Sequence, residues 1–444
     1  MFKKILIANR GEIALRIIRA CKEMGIKTVS VHSSVDADSL HVRFADESYC
    51  VGPAASAKSY LNIPSIISAA QVSNADAIHP GYGFLAENPD FAEICENCNI
   101  KFIGPSSEQI RSFGNKSRAK SLMKSLDIPV IQGYNGDYAS KKDLARAAEE
   151  TGFPVLIKAA AGGGGRGMRV AKTMEELENY IKVVKSEAQT AFGSDEVYFE
   201  KYLQSPKHVE IQVLFDEHGN GIYLGERECS IQRRHQKLLE EAPCVSMKPD
   251  LRAAMGQAAV RALQSIQYKN AATVEFLLDE NGKFYFMEVN TRIQVEHPIT
   301  EEITGVDLIK EQIKIATGQP LAYRQEDIQP RGHSIQCRIN AEHPETFVPS
   351  PGKITSLNLP GGPGIRIDSC AFHGYQVLPF YDSLIAKLIV REKDRPSAIA
   401  KLKWALGEFH VGGIHTSIPF HMKVLDHPQF LSGDYNTKFL DQFF

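Results

Sequence analysis

Five side chains that could take part in catalysis lie within nine residues of the chain. The run from 288 to 296 carries two carboxylates, two amides and one guanidinium, on Glu288, Asn290, Arg292, Gln294 and Glu296. They recur at every second position, as the side chains on one face of a β-strand do. A segment that begins as a strand and ends in a loop closed by Pro298 brings these groups together. The segment is therefore a candidate site.

A β-hairpin is predicted to add a further carboxylate to this site. Asn281-Gly282 stands between two apolar runs, which predicts a two-residue type I′ loop. This loop pairs Glu280 with Lys283 and, counting back, Glu275 with Glu288. Two carboxylates about 5 Å apart at their Cβ atoms repel each other unless a divalent cation lies between them. Oxygen ligands favour Mg²⁺ or Mn²⁺. The alternative is a solvated strand face that binds no metal.

Size and composition indicate a soluble globular protein with two or three domains. The 444 residues exceed the roughly 250–300 at which single cores stop growing. Lys and Arg number 51 and Asp and Glu 53, and this balance indicates neither nucleic acid nor an acidic membrane as a partner. No apolar run is long enough to span a membrane, and no signal peptide is evident. Only Cys95 and Cys98 form a C-x-x-C pair, so we expect no zinc site and a cytoplasmic protein with reduced thiols.

The first 110 residues predict a parallel α/β layer, because short apolar runs alternate with helical patterns. The strands are predicted at 2–8, 27–32, 47–51, 76–78 and 101–103, and the first helix at 11–24. The turn into that helix has a single glycine, Gly11, so the dinucleotide-binding fingerprint is absent there. The segment His79–Phe84 contains two glycines and a proline. It is either a plain tight turn or a place where a ligand approaches the backbone.

A compact α+β insert is predicted from about residue 131 to 203, with few long-range ties, so it could move as a lid. We expect helices at 140–151 and 175–191 and strands at 153–160, 168–171 and 196–203. The glycine run 162–167 meets neither the Rossmann context nor the Walker A pattern, because Met168 replaces the Walker lysine. A glycine hairpin can cover phosphates with its N–H groups, and Lys158 favours that interpretation over a merely flexible hairpin.

From residue 208 onward the pattern predicts antiparallel strands and further helices. Strands are expected at 209–215, 222–224, 229–232 and 333–340, and helices at 249–266, 306–317 and 396–408. The basic run Gln232–Lys237 precedes Glu240-Glu241. This basic run is either part of a site or one side of a surface salt-bridge array.

Together these segments resemble the ATP-grasp superfamily and, within it, the biotin carboxylase family, including the subunits of multisubunit acetyl-CoA carboxylases. The resemblance covers essentially the whole chain and rests on six blocks: residues 7–14, 79–84, 162–167, 200–203, 232–237 and 288–297. One departure is Ala86, where the family often has serine. The resemblance implies a Rossmann-like N-terminal domain (1–115), a linking helical segment (116–130), an ATP-grasp lid (131–203), and an antiparallel-sheet C-terminal domain (204–444) that completes the site. It also implies a homodimer.

The resemblance assigns ATP and two metal ions, Mg²⁺ or Mn²⁺, to specific residues. The metal ligands would be Glu275, Glu288 and Asn290. The ATP-binding residues would be Lys116, Lys158, Gly164, Gly165, Glu200, Lys201, Tyr202, Leu203, His208, Gln232, His235, Glu275, Leu277 and Glu288.

The same resemblance assigns the carboxylation chemistry. Bicarbonate would be bound by Lys237, Arg292, Gln294 and Val295, and biotin by Arg338, Tyr82 and Gly83. The catalytic residues would be Arg292, Glu296, Arg338 and Lys237, with Glu296 as the base that takes a proton from bicarbonate.

The implied reaction is ATP- and bicarbonate-dependent carboxylation of biotin through carboxyphosphate. No Met-Lys-Met biotinylation centre occurs in the sequence. We therefore expect the biotin on a separate carboxyl carrier protein and a separate carboxyltransferase, as in acetyl-CoA carboxylase, which supplies malonyl-CoA for fatty acid synthesis. The alternatives are service to another acyl-CoA carboxylase or to pyruvate carboxylase, a different ATP-grasp ligase, and a non-catalytic nucleotide-binding module. The run Arg292–Glu296 argues against a different ligase.

Overall fold

A five-stranded parallel sheet opens the chain. The computed structural model describes residues 1–135, 141–159 and 168–444. The strands of this first sheet are β1 (Lys4–Ile7), β2 (Lys27–Ser33), β3 (Glu47–Gly52), β4 (Ala77–His79) and β5 (Lys101–Phe102). All neighbours are parallel, in the order β3-β2-β1-β4-β5. The predicted parallel α/β layer is confirmed.

Helices cover this sheet and lead out of it. They are α1 (Gly11–Glu23), α2 (Leu40–Phe44), α3 (Ile63–Val72), α4 (Pro89–Asn97), α5 (Ser107–Gly114) and α6 (Lys116–Ser125). α5 begins with a capping box, in which Ser106 and Gln109 satisfy each other's backbone N–H groups. α6 begins at Asn115, whose side chain accepts from the N–H of Arg118. These two caps hold the connection between the first sheet and the rest of the chain.

A four-stranded antiparallel sheet with two helices forms the next unit. Its elements are β6 (Gly133–Asn135), α7 (Lys141–Thr151), β7 (Val155–Ala159), β8 (Met168–Ala171), α8 (Met174–Phe192) and β9 (Val197–Lys201). The strand order is β6-β9-β7-β8. Both helices pack on the sheet around Leu144, Leu177 and Phe199, so the unit has a core of its own. The predicted glycine loop, with Gly164 and Gly165, lies outside the described residues.

The remainder is built on one eight-stranded antiparallel sheet. Its strands are β10 (Lys207–Phe215), β11 (Gly221–Arg233), β12 (Gln236–Ala242), β13 (Asn270–Leu278), β14 (Phe284–Asn290), β15 (His333–Asn340), β18 (Ile365–Ser369) and β20 (Leu384–Glu392). Their order is β14-β13-β10-β11-β12-β15-β20-β18. Two short pairs lie apart from it, β16 (Gly352–Lys353) with β19 (Gln376–Val377) and β17 (Ser356–Asn358) with β21 (His410–Gly412). The predicted antiparallel arrangement is confirmed.

Seven helices accompany this sheet in the described chain: α9 (Pro249–Gln264), α10 (His297–Thr304), α11 (Leu308–Ala316), α12 (Arg395–Glu408), α13 (Ile418–Asp426), α14 (Pro428–Ser432) and α15 (Phe439–Phe443). None of the helices in the described ranges has the length and hydropathy needed to cross a bilayer. The division into domains at residues 115, 130 and 203 stays a prediction.

One strand corrects the sequence analysis. The predicted strands at 222–224 and 229–232 are a single strand, β11, which runs through Gly225. Gly225 has φ +84°, and the register with β10 shifts between Ile211 and Val213. A bulge with a glycine in the left-handed region lets the strand continue past what the sequence predicts to be a break.

In the β13–β14 hairpin, the predicted loop length is wrong, but the predicted pairing of Glu275 with Glu288 is confirmed. Its loop is five residues long, not the two residues Asn281-Gly282, because the last paired residues are Leu278 and Phe284. Asp279 organises the loop, and its Oδ1 accepts from the N–H groups of Asn281 and Lys283 at 3.0 and 2.8 Å. A bulge beside Glu275 then shifts the register by one residue, so Glu275 does pair with Glu288.

The basic run Gln232–Lys237 comprises the end of β11, a tight turn and the start of β12. Arg234 and His235 have φ values of +49° and +65°, and Arg233 pairs with Gln236 across the turn. Two successive left-handed residues are the signature of a type I′ turn. The alternative of a surface salt-bridge array is wrong, because Glu240 and Glu241 are fully buried.

Candidate functional site

One large cleft, of about 1090 Å³, lies where the three sheets meet. It brings together every predicted site residue that the structure describes. The residues lining it are Tyr82, Gly83, Lys116, Lys158, Glu200, Lys201, Tyr202, Leu203, His208, Gln232, His235, Lys237, Glu275, Leu277, Glu288, Asn290, Arg292, Gln294, Val295, Glu296 and Arg338. We call the part around Lys158 and Glu200 the phosphate end and the part around Glu296 the carboxylation end.

The phosphate end centres on the buried carboxylate of Glu200. It forms ion pairs with Lys158, at 2.5 Å, and with Lys120. Burial alone would raise the pKa of Glu200, but the two lysines outweigh burial and lower the pKa to about 2. Burial lowers the pKa of Lys120 more than Glu200 raises it. Lys116 lies nearby, with Nζ 3.0 Å from Glu288 Oε2. Lys116 and Lys158 line the cleft, and two ammonium groups there suit a ligand that carries phosphates.

The carboxylation end centres on Glu296, just before α10. Lys237 Nζ donates to Glu296 Oε1 at 2.6 Å, and Arg338 Nη2 donates to Oε2 at 3.0 Å. Burial would raise the pKa of Glu296, but Lys237 and Arg338 hold it well below its usual range. The carboxylate is therefore ionised and fixed between two cations. Arg338 also donates from Nε to Glu240 at 2.5 Å, which fixes its own orientation.

Glu275, on β13, joins the two ends of the cleft. Its Oε1 accepts from Lys237 at 3.0 Å, Asn290 at 2.9 Å and Gln294 at 2.8 Å. Its Oε2 lies 2.8 Å from His208 Nε2. Burial would raise the pKa of Glu275, but Lys237 and His208 bring it well below the usual value. Glu275 thus contacts Asn290 and Gln294 of the polar run 288–296, whereas Glu288 pairs with Lys116.

The donor chemistry of the predicted metal ligands fits Mg²⁺ or Mn²⁺. Glu275, Glu288 and Asn290 offer only oxygen donors at one end of a hairpin. Within the described residues, two groups of three His, Cys or carboxylate donors are close enough to share an ion: His208, Glu210 and Glu275, and Glu210, Cys229 and Glu296. Their carboxylates surround the Lys237 ammonium, which lies 2.5 Å from Glu210.

The turn at residues 79–84 is organised by residues from the start of α1. Asn9 Nδ2 donates to the carbonyl oxygens of Pro80 and Tyr82 at 2.7 and 2.8 Å. The hydroxyl of Tyr82 donates to Glu12. Gly81 has φ +64°, and a Cβ there would crowd Asn9. The turn is therefore a built feature of the cleft and not merely a place where the chain reverses.

Other predicted ATP residues have roles that the sequence does not specify. Lys201 Nζ donates to the carbonyl oxygens of Gly152 and Phe153, at 3.1 and 2.8 Å. The ammonium therefore stabilises the four-stranded unit itself. His235 stands at the β11–β12 turn, where burial lowers the pKa of its ring.

Several buried site residues were missed by the sequence analysis. Arg227 is fully buried and donates to Glu210 at 2.5 Å and to Gln294 at 3.0 Å. Nothing local in the sequence marks Arg227, because its partners come from distant strands. Lys120 did carry a signal, since it lies four residues after Lys116 on α6 and so on the same helix face.

Comparison with family models places the whole chain among known proteins. The biotin carboxylase N-terminal domain matches residues 1–110, and the biotin carboxylase C-terminal domain matches residues 336–442. Between them, the ATP-binding domain of the carbamoyl-phosphate synthase L chain matches residues 115–324. Biotin carboxylase 1 of Bacillus subtilis is 56% identical over 445 residues, covering 100% of this chain and 99% of that protein.

Solved structures agree with these matches. The biotin carboxylase–beta-gamma-ATP complex from Campylobacter jejuni superposes with a TM-score of 0.97 at 50% identity, covering 100% of this chain and 99% of that one. The biotin carboxylase domain dimer of Hydrogenobacter thermophilus 2-oxoglutarate carboxylase gives a TM-score of 0.96 at 48% identity, covering 100% and 98%. That structure is a complex with MgADP, ADP and bicarbonate.

Proposed function

This chain belongs to the biotin carboxylase family of ATP-dependent ligases, and we propose that it carboxylates biotin on a separate carrier protein. The observation that carries the proposal is the position of Glu296, with Lys237 on one carboxylate oxygen and Arg338 on the other. One base thus stands between the cation assigned to bicarbonate and the cation assigned to biotin. A single cleft can then serve both steps of the reaction.

In the first step, Glu296 takes the proton of bicarbonate while a bicarbonate oxygen attacks the γ-phosphorus of ATP. A new P–O bond forms, the bond to ADP breaks, and the products are carboxyphosphate and ADP. The two cations make Glu296 a weak base in the free protein. A bound bicarbonate anion shares their charge, which raises the pKa of Glu296 when a proton must be taken.

The phosphate groups of ATP would lie against Lys116 and Lys158, which line the cleft. When bound, Mg²⁺ or Mn²⁺ would be held by Glu275, Glu288 and Asn290 and would supply neutralisation of phosphate charge. Lys158 and Lys116 supply the same kind of stabilisation from the protein, and the hairpin positions the γ-phosphate close to the bicarbonate residues.

In the second step, carboxyphosphate breaks down to CO₂ and phosphate beside biotin. The released phosphate takes the ureido proton of biotin, which leaves the negative charge on the ureido oxygen. The ureido nitrogen then attacks CO₂, an N–C bond forms, and the charge moves from the ureido oxygen to the new carboxylate. Arg338 is the group that stabilises this oxygen, because its guanidinium stays charged and is already oriented by Glu240. The four-stranded lid unit excludes water from the labile intermediate.

The proposed acceptor is acetyl-CoA, with this chain as the biotin carboxylase subunit of an acetyl-CoA carboxylase that supplies malonyl-CoA for fatty acid synthesis. Biotin carboxylase 1 of Bacillus subtilis is matched over 99% of its own length, which supports a separate biotin carrier here. The alternative is service to a carboxylase with another acceptor, because the Hydrogenobacter relative belongs to a 2-oxoglutarate carboxylase. That relative is a dimer, which supports a homodimer here as well.

The test is ATP cleavage by the purified protein with and without bicarbonate and free biotin. We expect cleavage to need bicarbonate and to rise further with biotin. Cleavage that ignores both would overturn the proposal. Adding the co-purified biotinylated carrier and its transferase, with acetyl-CoA, propionyl-CoA, pyruvate or 2-oxoglutarate in parallel, then identifies the acceptor.

A further inference from the structure

Glu87 belongs to the N-terminal layer but contacts the segment of residues 288–296, which carries the proposed bicarbonate-binding residues Arg292, Gln294 and Val295. It lies between β4 and α4 in the N-terminal layer, whereas Arg292 follows β14 of the eight-stranded sheet. Arg292 Nε donates to Glu87 Oε2 at 2.8 Å. The backbone N–H of Thr291 donates to Glu87 Oε1 at 3.0 Å, and the Thr291 hydroxyl donates to the same oxygen at 3.4 Å. One carboxylate therefore uses both of its oxygens to hold two successive residues of that segment.

Among the residues that the structure describes, the contacts of Arg292 account for three of its five N–H donors. Nε is taken by Glu87, Nη2 donates to Asn290 Oδ1 at 3.0 Å, and Nη1 donates to the carbonyl oxygen of Ile293 at 3.2 Å. The three contacts fix the plane of the guanidinium. One N–H remains on each Nη, and this pair suits the two oxygens of a planar anion.

Glu87 is the only one of these three partners that comes from outside the segment and that carries a charge. The rest of the segment has separate anchors, since Arg227 donates to Gln294 at 3.0 Å and Lys387 donates to the carbonyl oxygen of Val295 at 3.1 Å. Loss of Glu87 would therefore remove the one charged contact that orients the Arg292 guanidinium and leave the remaining segment in place.

We propose that Glu87 is a positioning residue for bicarbonate, which it serves by orienting Arg292. This inference rests on the proposed function, because it takes bicarbonate as the anion that Arg292 binds. An ordinary exposed ion pair contributes little, but Glu87 bonds through both oxygens and one of its partners is a backbone N–H. Its role is geometric, since the carboxylate does not itself meet the anion.

The test compares Glu87→Gln with Glu93→Gln as a matched control. Glu93 is also on the N-terminal layer and also pairs with an arginine, Arg111, at 2.5 Å. The side chains of Glu87 and Glu93 are 39% and 48% exposed, so both variants should fold. In Glu87→Gln we expect the KM for bicarbonate to rise roughly tenfold, since a hydrogen bond between charged groups is lost. The KM for ATP should stay within about twofold of wild type, and Glu93→Gln should match wild type throughout.

Two further variants separate positioning from a general structural effect. Glu87→Asp keeps the charge and should recover part of the bicarbonate affinity. In an Arg292→Lys background, Glu87→Gln should change the KM for bicarbonate little, because the group it orients is already gone. The inference is overturned if Glu87→Gln leaves the KM for bicarbonate unchanged, if it raises both KM values equally, or if its full effect persists in the Arg292→Lys background.

Failure of this inference can be told apart from failure of the proposed function. If wild-type ATP cleavage depends on bicarbonate while Glu87→Gln behaves like Glu93→Gln, only the role of Glu87 is wrong. If wild-type cleavage ignores bicarbonate, the proposed function fails, and the role of Glu87 fails with it.

Discussion

The two ends of the cleft differ in their balance of charge. Among the described residues, the ion pairs at the phosphate end join three ammonium groups to two carboxylates: Lys116, Lys120 and Lys158 to Glu200 and Glu288. The ion pairs at the carboxylation end join four cations to five carboxylates: Arg227, Lys237, Arg292 and Arg338 to Glu87, Glu210, Glu240, Glu275 and Glu296. The first end has positive charge to spare for a polyphosphate. The second is nearly neutralised by its own residues.

This difference indicates two modes of recognition in one cleft. A highly charged ligand such as ATP can be attracted by net charge, even before its contacts are formed. Bicarbonate carries a single charge and must be held by oriented donors, which is why guanidinium and amide groups dominate the carboxylation end. Changes at the carboxylation end should therefore affect catalysis, and changes at the phosphate end should affect affinity and stability.

The largest effect is expected at the base itself. Glu296→Gln keeps the shape of the side chain but cannot take a proton, so bicarbonate-dependent ATP cleavage should fall about 10³-fold. Nucleotide binding should persist, because Glu296 does not face the lysines of the phosphate end. Steady-state cleavage and a nucleotide titration by calorimetry measure the two properties. Equal loss of both would contradict the separation of the two ends.

The next largest effect is on stability, at Glu200. Glu200→Gln leaves Lys120 and Lys158 buried without their shared carboxylate, which should lower the free energy of unfolding by about 3 kcal/mol. Added ATP should restore more stability to this variant than to wild type, because phosphates replace the missing negative charge. Denaturant unfolding with and without ATP measures this. A variant as stable as wild type without ATP would show that the lysines do not need the carboxylate.

The contribution of Glu200 to the free energy of unfolding should also depend on pH, and it should decrease as the pH falls. The pKa of Glu200 is lowered from 4.5 to about 2 in the folded protein. A depressed carboxylate pKa stabilises the fold above the unfolded value, and this stabilisation is lost as the pH falls toward the folded value. The stability difference between wild type and Glu200→Gln should therefore be complete above pH 4.5 and shrink toward pH 2.

Arg338→Ala should lower biotin carboxylation about 10²-fold by removing the group that stabilises the ureido oxygen. ATP binding should be spared. Carboxybiotin formation, measured with labelled bicarbonate, reports the first property and nucleotide titration the second. If carboxybiotin formation and nucleotide binding are lost together, the assignment of Arg338 to the biotin step is wrong.

The smallest expected effect is a difference between the two ends of the cleft in the salt dependence of KM. Raising the ionic strength from about 0.05 to 0.5 M should raise the KM for ATP roughly threefold more than the KM for bicarbonate, because net charge is screened more than short oriented contacts are. Kinetics at several salt concentrations test this. If the two KM values respond equally to salt, ATP is not attracted by net charge more than bicarbonate is, and the distinction from recognition by oriented hydrogen-bond donors is wrong.

The sequence predicts which residues line the cleft better than it predicts the strand register and the side-chain contacts that hold them there. The pairing of Glu275 with Glu288 was derived from a two-residue loop that does not exist, and it holds because a bulge offsets the longer loop. Periodicity shows which residues share a strand face, but a bulge depends on tertiary packing and has no local pattern.

The charge network was beyond prediction for a related reason. Arg227 bonds to residues of β10, β13 and the segment after β14, which the sequence separates by 15 to 73 positions. A single arginine in a strand reads as a surface residue until the sheet order is known. Glu240 was assigned to a possible surface array for that reason, whereas the fold buries it against Arg338.

The central claim is that bicarbonate attacks the γ-phosphorus of ATP. The most direct test is to follow ¹⁸O from labelled bicarbonate into the released phosphate. The protein would be incubated with ATP, biotin and bicarbonate labelled with ¹⁸O in all its oxygens, and the released phosphate analysed by mass spectrometry. If bicarbonate attacks the γ-phosphorus and carboxyphosphate then loses CO₂, each phosphate carries one ¹⁸O from bicarbonate. Phosphate that carries oxygen from water instead would contradict the account.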